Sequence, residues 1–554
     1  MASKMDVYAP CPCGSGKKVK FCCNNALLDM DRVASLHEHQ QTDQALVALD
    51  KLHEKYPQAP IVPITRAQLL MEARRYGEAG SVMRDFLSEN KDNGHGTALF
   101  AFARFMDVGF VEARPEIHRA FQVCQSTSPD VIASLAAQIA EDVYYTSTMS
   151  AREHLGLALR LTPDARDRQA MFQRLMRLDG SPEIPYPLRG PHHLEPLDVP
   201  EGTEKELKSA IRLSHLGCWE IAAKMFSKLV EQMPDSWALW KNIGLCRAWD
   251  TNHDGAAEAL HKAGELAPSY EAAVECETLA QLLELPKVEE QVSIKGVRLR
   301  VASTSQALNA LDGAERLHRS LLPQKNKGEN SSIVARYLLL DHALPGEPEI
   351  VTGDNAPLIE GEIAVFDFSH NDEKYGIVSV MAAEGEELDK AQALAREVLG
   401  GLIVAAAKDS HDHDHDENCD HDHDHDHDSH DHNHDSHVDE PSTVRVVLSE
   451  LIPSRNRKFF GKRVNVKDQR EVARADGRRF VMDTWVNTQL NRLGGRTPRE
   501  TSQDESMKIK LAAAVHVLEA VSDSAMLYLD PNEIRESLNV APECQLEVDD
   551  KLSL

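Results

Sequence analysis

Through most of the first 285 residues, apolar positions recur every three to four residues, the period of helices that bury one face. ALVALDKLHEKYP followed by ITRAQLLMEARRYGEAGSVMRDFL reads as such helices, with Tyr76, Ala79, Val82 and Phe86 turned toward a neighbour. AREHLGLALRLTPD ends another helix in the same style at Pro163. A longer period overlies this one. Pro234 and Pro268 are 34 residues apart, as are Ala222 and Ala256, and Phe226 and Leu260. Between the arrays, SPEIPYPLRGPHHLEPLDVP is too rich in proline for helix. It is read as a connection, or as an ordered strap lying on one array.

Trp240, Ile243 and Gly244, followed by Ala256, Leu260, Ala263 and Pro268, have the spacing W-x2-L-G, A-x3-F, small residue, P. That spacing resembles the tetratricopeptide repeat, with Arg247 standing where an aromatic is usual. Gly244 and Ala256 let paired helices approach, and Trp240, Ile243 and Leu260 fill between them. The resemblance implies a helical solenoid whose concave face suits a peptide or partner protein. Lys241 and Asn242 are placed to face such a groove, but solvated polar residues are the simpler reading and no site is assigned to them.

The pattern changes after residue 290. SIKGVRLRVAS, GEIAVFDFS and YGIVSVMAA alternate or run β-rich, whereas LDKAQALAREVLGGLIVAA is helical, so a small α+β domain is expected. Asp367, His370 and Asp372 cluster there without a nucleophile, an acid pair or metal spacing, and read as surface turn residues. Arg455, Arg457, Lys458, Lys462 and Arg463 surround Phe459 and Phe460. This basic patch suits either phosphate or an acidic surface of the protein itself. In WVNTQLNRLGGRTPRE, Gly494-Gly495 predicts a turn, with Thr497 an N-cap, Pro498 at N1 and Glu500 at N3 of a helix. That helix is expected to present Met507, Leu511, Val515 and Leu518 on one face, and Thr497 is structural.

The concentrated chemistry lies at CPCGSGKKVKFCC, where Cys11, Cys13, Cys22 and Cys23 follow C-x-C-x8-C-C. Disulfides between such close neighbours are strained, whereas a tetrahedral Zn2+ accepts four thiolates from two short segments. Iron–sulfur ligation, redox chemistry and incidental cysteines are the alternatives. Gly14-Ser15-Gly16 supplies the turn, and Lys17, Lys18 and Lys20 offset the negative charge of four thiolates. Four thiolates fill the coordination sphere, so the site is expected to be structural. A unit this small cannot build a useful core and depends on its metal to fold.

CPCGSGKKVKFCC also resembles the SEC-C motif, a zinc-binding element at the carboxyl end of the SecA preprotein translocase and in many otherwise unrelated bacterial proteins. The resemblance implies zinc ligation by Cys11, Cys13, Cys22 and Cys23, and a docking role toward proteins. It does not extend to the translocase motor, since the chain has no GxxxxGK[ST] loop. W…LGG-x-TPRE is similar to a phrase in the carboxyl regions of bacterial SEC-C-bearing proteins, which implies shared architecture.

The formal net charge is -28, and residues 409–440 supply half of it with twelve Asp and two Glu against no Lys or Arg. Such acidity weighs against a general nucleic-acid binder. That stretch also carries His411, His413, His415, His421, His423, His425, His427, His430, His432, His434 and His437. With no apolar side chain to close a core, it is expected to be disordered without ligand. Its imidazoles and carboxylates offer weak, multiple, exchangeable metal sites; a charged spacer is the competing role. No stretch reaches eighteen uninterrupted apolar residues, and the dispersed Cys124, Cys218, Cys246, Cys276 and Cys544 show no pairing pattern. Both points fit a cytoplasmic protein without a membrane span.

The expected fold is mainly α: a tetratricopeptide-like helical solenoid with a small N-terminal zinc module and C-terminal α+β regions. The expected divisions are 1–30 for the zinc module, 35–179 and 205–285 for helical repeats, and 180–204 for the proline-rich connection. They continue with 290–408 for a small α+β domain, 409–440 for the histidine-rich linker and 441–554 for a C-terminal α+β domain. The function read from these parts is a non-catalytic scaffold that binds a protein partner, such as a chaperone, an export component or a nascent chain. Metal buffering through the tract and an enzyme hidden in the second half are the alternatives.

Overall fold

A computed structural model describes the chain except residues 1–5, 145, 163, 182–183, 286–290, 321–332, 348, 371–372, 405–441, 449–457, 462–463, 526–530 and 543–554. Pro163, the histidine tract and most of the basic patch therefore lie outside the described residues. The chain divides into two compact units: Met1–Glu284 with Glu505–Ser524, and Leu285–Asp504 with Ala525–Leu554.

The first unit is helical. After short helices α1 (Asn24–Leu28) and α2 (Asp31–Glu38) come α3 (Thr42–Lys55), α4 (Ile61–Glu72) and α5 (Tyr76–Glu89). The long α6 (Gly94–Val123) bends at Gly109, which has a φ of 81°, and is followed by α7 (Pro129–Asp142), α8 (Thr148–Leu161) and α9 (Ala165–Asp179). The second array is α10 (Glu204–His215), α11 (Trp219–Val230), α12 (Trp237–Trp249), α13 (His253–Leu266) and α14 (Tyr270–Glu284). Within each array, successive helices from α2 onward pack on one another, the arrangement of a tetratricopeptide-like solenoid. Gly244 shows why the 34-residue register carries small residues: a Cβ there would lie 2.6 Å from Leu260 Cγ. Arg247, in the position of the expected aromatic, instead donates from Nη1 to the carbonyl of Gly255 at 2.7 Å and ties α12 to the start of α13.

The two arrays share a polar seam. Asp250, almost fully buried, is 3.0 Å from His118 Nε2 and 2.9 Å from Arg114 Nε, both on α6. Fully buried His154 on α8 stacks edge-on against Trp219, 4.7 Å between centroids, and burial draws its pKa down to about 3. The segment Glu505–Ser524 belongs to this unit and forms most of α19 (Lys508–Ala525). Leu511, Val515 and Leu518 are fully buried there, but so are Ala513, Ala514 and Val517, so the helix is apolar around most of its circumference. Gln281 on α14 donates to the Lys510 carbonyl at 3.0 Å, which places α19 beside the last repeat helix. Terminal repeats need such a cover for their open apolar face.

The second unit holds an antiparallel sheet of order β2-β3-β4-β5-β1-β6. Its strands are β1 (Gln291–Val301), β2 (Leu317–Ser320), β3 (Ile333–Leu340), β4 (Ile359–His370), β5 (Glu373–Ala383) and β6 (Ser442–Leu448). Helices α15 (Thr304–Asp312) and α16 (Glu386–Leu399) bury Ala307, Leu311, Leu388 and Ala395 in one core with Val297, Val365 and Val380 of the sheet. Helices α17 (Val466–Arg479), α18 (Pro498–Thr501) and α20 (Pro531–Ser537) complete the described part. At α18 the capping box is complete: Glu500 N donates to Thr497 Oγ1 at 3.1 Å, and Thr497 N to Glu500 Oε2 at 2.9 Å. The box caps only one turn, however, and a new helix begins at Lys508 instead of one helix running on to Leu518.

Candidate metal centre and groove

The cysteine loop is made by a turn and a return. Cys11 N donates to the Lys17 carbonyl at 2.8 Å and Val19 N to Ala9 O at 3.0 Å, closing a loop over residues 9–19. Gly14 and Gly16 take φ of 69° and 71°, the left-handed values expected of the tight turn. A 3-10 turn over Val19–Phe21 then swings Cys22 and Cys23 back under Cys11 and Cys13. One sulfur from each of the four cysteines lies within 4.8 Å of the others, and Cys11, Cys13 and Cys23 are buried. Cys13 Sγ is 3.5 Å from Cys22 Sγ, which is 3.6 Å from Cys23 Sγ. A set of four soft donors at this spacing can hold one metal ion.

The surroundings prepare the sulfurs for that role. The Cys23 thiol donates toward Cys13 and is the main cause of the fall of the Cys13 pKa to about 4, against the opposing effect of burial. Burial, first among several influences, raises Cys11 to about 11. Ser15 Oγ stands 3.1 Å from Cys22 Sγ, and the backbone N–H of Ile61, at the start of α4, interacts with Cys23. Lys18 and Lys20 stand over the Tyr8 ring, 5.7 and 5.3 Å from its centroid.

This loop is not a separate bead. Cys11, Cys13, Val19, Cys23 and Ala26 belong to the same apolar cluster as Leu49, Ile64, Met83 and Leu99 of the following helices. Asn93 makes the bond that sequence reading missed: its Oδ1 caps α6 by accepting from Gly96 N at 2.7 Å, while its Nδ2 donates to the Cys13 carbonyl at 3.0 Å. A Cβ on Gly14 would come 2.2 Å from His95 Cβ, so glycine is needed for the approach to α6 as well as for the turn. The Asn-Gly pair at 93–94 signals a turn or cap, but nothing in it points eighty positions back along the chain.

The proline-rich connection is a strap. Beyond a 3-10 turn at Tyr186–Leu188, residues 191–200 run without regular secondary structure across the second array. Leu188, Leu194, Leu197 and Val199 pack on its apolar cluster, while Pro196, Asp198 and Pro200 remain exposed. Asn242, 1 % exposed, reads both backbone groups of Glu195: its Oδ1 accepts from Glu195 N at 2.6 Å and its Nδ2 donates to Glu195 O at 2.9 Å. Lys241, 5 % exposed, donates to Glu195 Oε1 at 2.8 Å and to Glu275 Oε1 on α14 at 3.0 Å. The two residues left unassigned as solvated are thus buried, and each makes two hydrogen bonds.

Elsewhere the candidate residues that the structure describes do not converge. Asp367 accepts from Thr304 Oγ1 at 2.8 Å, Asp372 is outside the described residues, and no nucleophile joins them among the described residues. In the basic patch, Lys458 pairs with Asp476 of α17 at 2.9 Å, Phe460 is buried, and Phe459 lies 4.4 Å from the His318 ring between centroids. This part of the patch docks within its own unit. Arg455, Arg457, Lys462 and Arg463, like His411 to His437, lie outside the described residues. Among the described residues, no helix is long and apolar enough to cross a membrane.

No family model matches the sequence, and no curated protein does. Solved structures that match part of the chain include a tetratricopeptide repeat protein from Parabacteroides merdae, 11% identical over 48% of this chain and 95% of that one, with a TM-score of 0.20. The yeast Sti1 TPR2AB domain in a pHSP90 complex is 14% identical over 47% of this chain and 92% of its own, with a TM-score of 0.17. The C-terminal part of a TPR repeat-containing protein from Cytophaga hutchinsonii is 12% identical over 47% and 96%, with a TM-score of 0.18. The successive helix pairs of this chain themselves form the solenoid.

Proposed function

We propose that this chain is a zinc-binding scaffold for protein–protein interaction that carries out no bond-making step itself. The observation behind the reading is the convergence of Cys11, Cys13, Cys22 and Cys23 to within 4.8 Å on a loop set into the helical core. Zinc is favoured by the C-x-C-x8-C-C spacing and its SEC-C resemblance. Four thiolates leave the ion no open position, so it serves architecture. Metal binding replaces the thiol protons that Cys11 and Cys23 otherwise retain, which makes affinity fall toward acid.

Partner binding is supported by area and by exposed apolar groups. The helical unit offers an extended surface; the cysteine loop exposes Phe21 at 70% along with Lys17, Lys18 and Lys20, and α1 exposes Leu28 at 71%. A cytoplasmic chaperone, export component or nascent chain is the partner class in keeping with the resemblance.

Native mass spectrometry with element analysis tests the reading on the full chain, on a Cys11→Ser/Cys13→Ser variant and on a chain lacking 411–437. One zinc is expected in the full and shortened chains and none in the serine variant. A full chain without zinc overturns the assignment. Several further ions that disappear with the tract would bring metal buffering forward.

A further inference from the structure

Twenty-four residues separate α9 from α10, from Gly180 to Thr203, where helix–helix connections commonly need two to eight. The excess is spent on laying an extended segment across α12 and α14. The way it is held is that of a ligand. An asparagine amide that bonds N–H and C=O of one residue recognises extended backbone whatever its side chain, and a buried ammonium recognises a carboxylate. Apolar side chains at 194, 197 and 199 then enter the array while Pro196 and Asp198 face water.

The groove side has the matching character. Burying Lys241 and Asn242 on a packed helix costs free energy unless both are satisfied, and a purely structural strap could be held by leucines alone. The strap is also bracketed by two glycines at positive φ, Gly190 at 80° and Gly202 at 97°, with no neighbour within 4 Å of where a Cβ would stand on either. Such positions absorb backbone rotation at hinges.

We propose that the groove formed by α12 and α14 is a peptide-binding site, and that residues 191–199 are its intramolecular occupant. Its external ligand is an extended segment of another protein with the chemistry of Leu-Glu-Pro-Leu: a carboxylate for Lys241, a free backbone amide and carbonyl for Asn242, and leucine-sized side chains on either side. That ligand competes with the strap, so the free protein is self-blocked. This deepens the scaffold reading and rests on it, but does not depend on the metal.

The test uses a fluorescent peptide copying residues 189–201 and the full-length protein. Anisotropy should show binding at least tenfold tighter to a Leu194→Asp/Leu197→Asp variant, whose strap is released, than to the unaltered chain. Adding Asn242→Ala to that variant should abolish the gain, and a peptide with Glu195→Ala should bind at least tenfold more weakly. A second version keeps the native strap: a protease site built at 200–203 is cut after folding, and hydrogen exchange at Glu195 should rise when excess peptide is added. Equal, weak binding to unaltered, released and cut chains that all retain their metal and their circular dichroism overturns the proposal and leaves the metal reading standing. Absence of metal from the unaltered chain overturns the metal reading, whatever the peptide does.

Discussion

The cysteine loop and the strap are both short, non-helical segments laid on the same helical unit, and they are fastened by opposite means. The loop brings its own fastening: four sulfurs converge, and the helices add Asn93 and the Ile61 amide at the edges. The strap brings almost nothing but backbone, one carboxylate and a few leucines, while Lys241 and Asn242 belong to the helix beneath. A metal-fastened segment is bound to its place as long as the ion stays. A segment held by a neighbour's side chains can be exchanged for another of the same chemistry. The difference separates a permanent joint from a site.

Cys13→Ser strikes the first kind of fastening and should have the largest effect. Cys13 is fully buried, so the substitution should remove a ligand of the proposed metal and leave a hydroxyl among apolar groups; stability should fall by more than about 4 kcal/mol. Thermal denaturation with and without chelator checks it. The chelator should lower the midpoint of the parent chain but not of the variant. Equal midpoints for parent and variant would mean that no metal joint exists.

Gly14→Ala asks whether the loop is a module or part of the core. An independent loop would lose only the left-handed preference, about 1 kcal/mol. Docked as it is, the new Cβ meets His95 Cβ at 2.2 Å, so about 2–4 kcal/mol is expected. Urea midpoints distinguish the two values.

Asn242→Ala strips the strap of its backbone reader. Glu195 N and O lose their partners at a half-buried position, at a cost of about 1–2 kcal/mol that is confined to the strap. Hydrogen exchange should accelerate at 191–199 while Cys13 and its neighbours keep their protection. Uniform acceleration throughout the unit would erase the contrast between joint and site.

The two segments were unequally legible for the same physical reason. Thiols so close in sequence have few uses, and Gly14-Ser15-Gly16 names the turn between them. Periodicity likewise disclosed the solenoid, because Ala256 and Leu260, which pack against Gly244, repeat Ala222 and Phe226 at a fixed spacing of 34. Lys241 and Asn242 could not be read this way: a polar pair on a helix is solvated unless something covers it, and the covering segment lies 46 and 47 residues earlier. Asn93 hides for the same reason, since its cap is local but its bond to Cys13 is not. Residues 508–525 show a helix in sequence, yet their apolar positions do not disclose that the face they cover belongs to α14.

The smallest expected effect concerns α14, which supplies Glu275 to the strap site. Two residues on, Glu277 accepts from His261 of α13 at 2.7 Å, and Glu284 lies 3.4 Å from the other ring nitrogen. Burial disfavours the imidazolium, but the bonds to Glu277 and Glu284 outweigh it and raise His261 to about 9. An unfolded histidine titrates near 6.5. The folded state therefore holds the proton more tightly, so this pair contributes fully below about pH 6.5 and progressively less as the pH rises through 9. Allowing for partial exposure, about 1–2 kcal/mol should be lost over that window. His261→Gln should flatten the decline of the thermal midpoint between pH 6.5 and 9, and in the parent chain exchange at 191–199 should quicken over the same range as α14 loosens. If the midpoint declines in the variant as in the parent, the pair does not anchor α14. If it flattens without any change at 191–199, the strap is held by Asn242 and its leucines independently of that anchor.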